Sequence, residues 1–495
     1  MKSHMKTRQI APVTSFLRYP ATVALLFAAM PAAHADNTWD GGGGDGNWNT
    51  AANWGLDTLP STGVLLSFSG NLQNVTNNNL SSATYFGINF TNDGTTGKTN
   101  AFTLAGTAIN PGSADIVTTA VTGTAITDTI SLNLTLTNNK AVNTGASHNL
   151  IISGAILNGS GQRNFSKTGA GELTLTNAGN TYGGTTSING GILTVDVAGG
   201  IANRGVASAL GNQTTAANAQ LNFNSGTLNV KSGANSTDRQ VRIGTNTNPT
   251  ATGGGVITNN STNGGTPLVF TSAAFNNTTD TGMNLVTVAR PLALGGSNTD
   301  ANAITGVIAD HNTAGGGIVN VTKAEAGRWI LSGANTYTGN TTISAGTLQT
   351  GASNVIPNAS NIVLNGGTFA AGASFSDTAG TLSLSANSFI TLGAGSLFAF
   401  ADSSALSWGS STLSISGSFV SGSSLRFGTT GSGLTSGQLS LITIDGNSNP
   451  ISLDSSGFLV TAIPEPSAYA ALAGVSMIGF TLLRRRRQQK AAVAA

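Results

Sequence analysis

Two stretches of this chain, residues 167–193 and 323–348, are near copies of each other and alternate apolar and polar residues with period two. They share the pattern Asn-Thr-Tyr-x-Gly-x-Thr-x-Ile-x-x-Gly-x-Leu, eight fixed positions. The fixed positions include Tyr182, Gly184, Thr186, Ile188, Gly191 and Leu193 in the first copy. In the second they include Tyr337, Gly339, Thr341, Ile343, Gly346 and Leu348. Period-two alternation places apolar side chains on one face of a strand and hydroxyls on the other. A unit this short cannot bury its apolar face alone, so neighbours must stack and the ends of the stack must be covered. Thr186, Ile188 and Leu193 are expected in strands, with Gly191 at the tight corner between them in a positive-φ conformation. Asn at equivalent corners can form ladders between coils, and Tyr182 and Tyr337 are expected to cap or stack at a turn.

The same grammar continues outside the copies. Residues 172–176, 381–385 and 412–416 alternate strictly, and weaker coils occur at 221–228 and 362–369. Gly-Gly, Asn-Gly and Ser-Gly pairs interrupt the strands, and no long window between residues 36 and 461 has a helical period. Charged residues are 8% of the chain, against roughly 25% in an average soluble protein. With 39% hydrophobic residues the chain still has material for a continuous core, unlike a disordered one. Cys is absent, which excludes disulfides and thiolate chemistry. Setting aside the nine basic residues of the two ends and Glu465 leaves 12 basic against 18 acidic residues, about −6. A mildly acidic body gives no electrostatic reason to bind nucleic acid. About 425 residues coiling at ~22 per turn with ~4.8 Å rise would make a rod of about 90 Å.

Both ends read as addresses. Lys2, Lys6, Arg8 and Arg18 precede an apolar run at 21–30, and Ala33-His34-Ala35 stands before Asp36. This is the form of a secretory signal peptide with an A-x-A cleavage site formed by Ala33 and Ala35, and its apolar run is too short to span a bilayer. At the other end Pro464-Glu465-Pro466 precedes an apolar run at 468–483 and then Arg484, Arg485, Arg486 and Arg487. Sixteen residues reach about 24 Å as a helix, short of a ~30 Å hydrocarbon core, and snorkelling Arg side chains can make up the difference. The positive-inside rule keeps the Arg cluster cytoplasmic and the body outside.

That order of tripeptide, apolar run and basic cluster resembles the PEP-CTERM sorting signal of Gram-negative bacteria. The resemblance implies an exosortase-type membrane transpeptidase as partner, cleavage near Pro464-Glu465-Pro466, and release to the cell surface or exopolysaccharide matrix. The two copies resemble the autotransporter-associated β-strand repeat of passenger domains, which implies a right-handed β-helix. The opening Trp39-Asp40 through Trp48 and Trp54 is similar to the start of such passengers. A C-terminal β-barrel of amphipathic strands, which true autotransporters carry, is not legible in the last 200 residues. Residues 425–459 look like a terminal cap.

Catalysis on a β-helix would need clustered carboxylates, often with Arg, Lys or Ca²⁺. The only three Glu are Glu172, Glu325 and Glu465, and the Asp residues are scattered. Asp310-His311 reads as loop polarity, Asp238-Arg239 as a surface pair, and His148 has no spacing relation to His311. Asp40 and Asp45 lack the alternating acidic positions of a Ca²⁺ loop. Trp39, Trp48 and Trp54, exposed, would suit sugar stacking; buried, they would seal the open end of the stack.

The expectation is therefore an all-β, right-handed parallel β-helix with an N-terminal signal peptide and a C-terminal single transmembrane helix. Residues 1–35 form the signal peptide, 36–461 the repeat region with clear repeats at 165–195 and 321–350, and 462–495 the sorting segment. The expected role is an exported structural or adhesive protein of the cell surface or matrix, without metal, cofactor or enzymatic activity. Its expected partners are the secretion machinery, the exosortase-type enzyme, the membrane through 468–483 before processing, and exopolysaccharide. The alternative is a carbohydrate-binding or carbohydrate-active β-helix, either a glycosidase or a lyase.

Overall fold

The computed structural model describes residues 37–70, 72–81, 84–91, 101–233, 235–244, 253–265, 267–275, 289–310, 317–448, 450–461, 477–478 and 481–486. Between residues 37 and 461 the chain winds into stacked parallel strands. One nine-stranded sheet runs from Thr38–Trp39 to Gln240–Ile243, and a thirteen-stranded sheet from Val75–Asn78 to Leu382–Ala386. A second nine-stranded sheet runs from Ser236–Thr237 to Ile442–Ile444, and a three-stranded sheet from Ser376–Ala379 to Leu425–Phe427. Apart from the first pair, Thr38–Trp39 with Leu65–Phe68, neighbours in these four sheets are strands of successive coils and not consecutive strands, which is the topology of a solenoid.

Strand alternation builds the core directly. Glu172–Leu175 buries Leu173 and Leu175 while its other residues stay half-exposed, and Leu382–Ala386 and Leu413–Gly417 begin with the same pattern. In register across the thirteen-stranded sheet, Leu150, Leu173, Leu193, Leu228, Ile257, Leu294, Lys323, Ile343, Leu364 and Leu384 form one inward column. Its aliphatic members are each at most 4% exposed, and burying one such side chain is worth about 1.5–3 kcal/mol. A Lys in the middle of that column is the feature composition does not foretell.

The coils are less uniform than a 22-residue turn. Register offsets range from 19 residues (Arg328 to Thr347) to 37 (Ile257 to Leu294). The thirteen-stranded sheet, which runs from Val75–Asn78 to Leu382–Ala386, spans about 60 Å at ~4.8 Å per step. The two sequence copies also sit on different sides of the stack. Thr186–Ile188 belongs to the first nine-stranded sheet, whereas its counterpart Thr341–Ile343 belongs to the thirteen-stranded one.

The expected signal peptide at 1–35 lies outside the described residues. Of the apolar run 468–483 and the Arg cluster, residues 477–478 and 481–486 are described; they are helical and exposed. Among the described residues no helix is long and apolar enough to cross a membrane.

Candidate functional site

The residues shared by the two copies converge on one corner of each coil. Tyr182 and Tyr337 are completely buried, and their hydroxyls meet Thr186 Oγ1 at 2.8 Å and Thr341 Oγ1 at 2.7 Å. Apolar surroundings disfavour the phenolate, so burial pushes the Tyr182 hydroxyl up to about 12 and that of Tyr337 upward as well. These tyrosines lie inside the coil, and the Tyr182 ring packs on that of Phe165 with centroids 5.2 Å apart. Gly191 and Gly346 have φ of +58° and +60°, as the corner requires. A Cβ on Gly346 would run into the carbonyl oxygens of Gly327 and Glu325 in the previous coil. Gly184 and Gly339 likewise pack against the carbonyls of Arg163 and Val319. Ile188, Leu193, Ile343 and Leu348 are buried strand residues.

Two further members of the pattern tie three coils together. Asn180 accepts the N–H of Ile156 at 2.8 Å and donates to the carbonyl of Ala209 at 3.0 Å. Asn335 does the same between Ile308 (2.8 Å) and Val355 (2.9 Å). Each amide thus joins the coil before it to the coil after it, satisfying backbone groups that the irregular side leaves without a strand partner. On the outside, Asn ladders form as expected. Asn224 donates to Asn189 at 2.8 Å, Asn79 to Asn49 at 2.7 Å and Asn361 to Asn340 at 3.4 Å.

Lys167 and Lys323 open the two copies, and both are 0% exposed. Lys167 Nζ donates to the carbonyls of Thr168 (2.7 Å), Gly169 (2.9 Å) and Gly190 (3.2 Å). Lys323 Nζ donates to Ala324 (2.5 Å), Glu325 (2.7 Å) and Ala345 (3.2 Å). Lys140 repeats the arrangement on Pro111, Gly112 and Ala114. Each ammonium therefore gathers the corner carbonyls of its own coil or of a neighbouring one. Burial pushes all three groups down to about 8, while the carbonyls around each Nζ oppose loss of the proton. The signal was present in the sequence: in Phe165–Thr168 the Lys falls in the inward phase set by Phe165.

Both ends of the stack are closed. Trp39, Trp48 and Trp54 are 0% exposed, which removes them from any role in stacking on a ligand. Trp54 meets Trp39 and Trp48 edge-on at 5.1 and 5.6 Å, and Phe68 packs beneath all three. Trp48 Nε1 donates to Thr76 Oγ1 at 2.9 Å and Trp54 Nε1 to the Trp48 carbonyl at 2.9 Å. Asp45 serves this cap: it accepts from the Asn47 N–H, Asn53 Nδ2 and Thr50 Oγ1. At the far end Ile451–Leu453 pairs antiparallel with Leu459–Thr461. The short helix Ser436–Leu439, held by a capping box between Thr435 and Gln438, adds a second closure.

Among the other polar candidates, the pair Asp238-Arg239 resolves differently from its sequence reading. Asp238 does not pair with Arg239; its Oδ2 meets Arg204 Nε at 2.9 Å. Arg239 is 0% exposed and donates to Gly211 O, Ala202 O and Gln213 Oε1. Both residues lie between the strands Ser236–Thr237 and Gln240–Ile243, where Arg239 turns into the core and Asp238 stays half-buried. Asp310 anchors the N–H and hydroxyl of Thr338 and the N–H of Val319, while His311 lies outside the described residues. His148 is fully buried, its Nε2 2.6 Å from Asp128 Oδ2 and its Nδ1 2.6 Å from the Thr119 carbonyl. With both ring nitrogens engaged it has none free to act on a substrate. A surface cleft of about 370 Å³ is lined by Arg204, Asp238, Gln240, Thr271 and Ser272 among others. Among the described residues no three His, Cys, Asp or Glu side chains group to hold a metal. Ala33, Ala35, Pro464, Glu465, Pro466 and Arg487 lie outside the described residues; Arg484, Arg485 and Arg486 are helical and exposed.

With the corner geometry in place, the comparison with known proteins falls on it. Residues 165–195 and 321–350 match the passenger-associated-transport-repeat family. Over 88 residues, 18% of this chain, it is also 46% identical to the Adhesin BmaC autotransporter of Brucella suis biovar 1 (strain 1330). That match spans 2% of the length of the adhesin. No solved structure matches. The passenger-type repeat is thus the window that carries Lys167 or Lys323, the buried Tyr and the corner Gly.

Proposed function

We propose that this chain is an exported structural or adhesive protein, a stiff polar solenoid displayed at the cell surface or in an exopolysaccharide matrix. The observation that carries the reading is the passenger-type repeat corner, built twice from the same buried Lys, Asn, Tyr and Gly. Its polar atoms are spent on holding coils together, which suits a spacer or a contact surface better than a reaction centre. The adhesin relative supports the adhesive half of the reading. Right-handed winding is proposed with it, since crossovers between parallel strands take that hand almost without exception.

Export is proposed to use the N-terminal segment with cleavage after Ala33-His34-Ala35. Sorting is assigned to Pro464, Glu465 and Pro466, the apolar run 468–483 and Arg484 to Arg487. An exosortase-type transpeptidase would act near Pro464-Glu465-Pro466 after a membrane-anchored intermediate. Support for this half is the order of the three elements in the sequence. Intact mass of the protein released from the surface or matrix tests it. The expected species begins at Asp36 and ends close to Pro464-Glu465-Pro466. A species that retains 468–495 refutes processing, and one that retains residues 1–35 refutes export by a cleaved signal.

A further inference from the structure

On the three-stranded sheet, Asp377 occupies an inward position that Phe398 and Leu425 fill in the next two coils. It is 3% exposed. Its Oδ1 accepts the N–H groups of Val355 and Ile356 at 2.7 and 2.8 Å. Those amides lie in the irregular segment between the strands Thr347–Thr350 and Ile362–Asn365, and the preceding Asn354 N–H donates to the Ser376 carbonyl at 2.9 Å. Oδ2 is buried and, among the described residues, without a hydrogen-bond partner. The titratable group that faces the carboxyl is the Tyr337 hydroxyl, itself bonded to Thr341. Tyr337 is neutral up to strongly alkaline pH and brings no positive charge.

We infer that Asp377 is a proton-operated latch on the C-terminal coils. With its proton, the neutral carboxyl group binds residues 355–356 to the strand Ser376–Ala379 while leaving no buried charge. On losing the proton to solvent, it becomes a carboxylate with one buried oxygen that no hydrogen bond satisfies, and the segment opens more readily. Burying an ion without a partner is far costlier than burying the neutral acid. Burial accordingly raises the Asp377 carboxyl to about 6, against the opposing pull of the two N–H groups. In the opened segment the group returns to its ordinary value near 3.8. Between those two pH values the closed form holds a proton that the open form lacks. The latch is therefore fully closed below pH ~4, weakens as pH rises, and has lost its contribution above pH ~6. A shift of about two pKa units corresponds to roughly 100-fold in the opening equilibrium.

Amide hydrogen exchange on the full chain, corrected for the intrinsic pH dependence of exchange, tests the latch at Val355 and Ile356. Their protection is expected to fall about 10- to 100-fold between pH 4 and pH 7.5, with the strand Thr186–Ile188 as an unchanged reference. Asp377→Asn keeps the acceptor and removes the charge, so its protection should not fall. Flat protection in the unaltered protein, or the same fall in Asp377→Asn, overturns the inference. Should that variant fail to fold, the ¹³C carboxyl resonance of Asp377 in the unaltered protein decides. A midpoint near pH 6 supports the latch, and one at or below 3.8 refutes it.

Discussion

Replacing Gly346 by Ala tests the close coil-to-coil approach on which the repeat corner rests. Two penalties apply at this position. Its φ of +60° is a left-handed conformation that costs an L-residue about 1–2 kcal/mol. A Cβ would also collide with the carbonyls of Gly327 and Glu325, and forcing atoms into a packed site costs about 1–3 kcal/mol more. Gly409 separates the two terms: its φ is +58°, and a Cβ there would meet nothing within 4 Å. Gly346→Ala should therefore lose about 2–5 kcal/mol and Gly409→Ala only about 1–2. Urea unfolding of the full chain, read as a midpoint shift at unchanged m, gives both values. Equal losses in the two variants would mean that the corner has room, and that glycine is there for its backbone freedom alone.

Three other perturbations follow from the same geometry. Lys323→Met strands three corner carbonyls and should cost about 1–3 kcal/mol. Because burial lowers the folded-state value of this Lys to about 8 while the unfolded chain keeps its proton to about 10.5, stability should rise between those pH values. That rise should shrink in the Met variant, and a thermal midpoint that falls over the same range in the unaltered protein contradicts the sign. Trp54→Ala opens the N-terminal seal and should cost about 3–5 kcal/mol. The loss should be visible as faster hydrogen exchange at Leu66 and Ile88 with little change at Leu413, and uniform change along the stack would deny the local-cap role. Asn335→Ala removes an acceptor for Ile308 and a donor to Val355 and should cost about 1–3 kcal/mol. Exchange should quicken at the Ile308 amide, and an unaffected Ile308 would mean that this bond contributes nothing.

Much of the fold was legible because strand alternation is local. Thr186, Ile188 and Leu193 are strand residues whose inward phase follows from their neighbours. Gly191 stands where the corner turns through positive φ, a conformation that favours glycine. The Trp cluster seals an end because an uncovered solenoid leaves an apolar core and strand edges in water. The same alternation, applied strictly, would also have placed Lys167, Lys323 and Arg239 inside. What masked them is the rule that charged residues stay out; here backbone carbonyls turned inward at corners override it.

By itself the sequence determined that the body is a stack of strands, where two of its corners lie, and how little charge its surface carries. Period-two patterning and corner glycine act within a few residues, so no distant contact is needed to read them. Only the tertiary structure decided which coil each corner meets. It set coil lengths between 19 and 37 residues and placed the two copies on different sides of the stack. It also put His148 against Asp128 and left Asp377 beneath Phe398. Those outcomes depend on how many residues each loop inserts between one strand and its partner, and no local pattern records that sum.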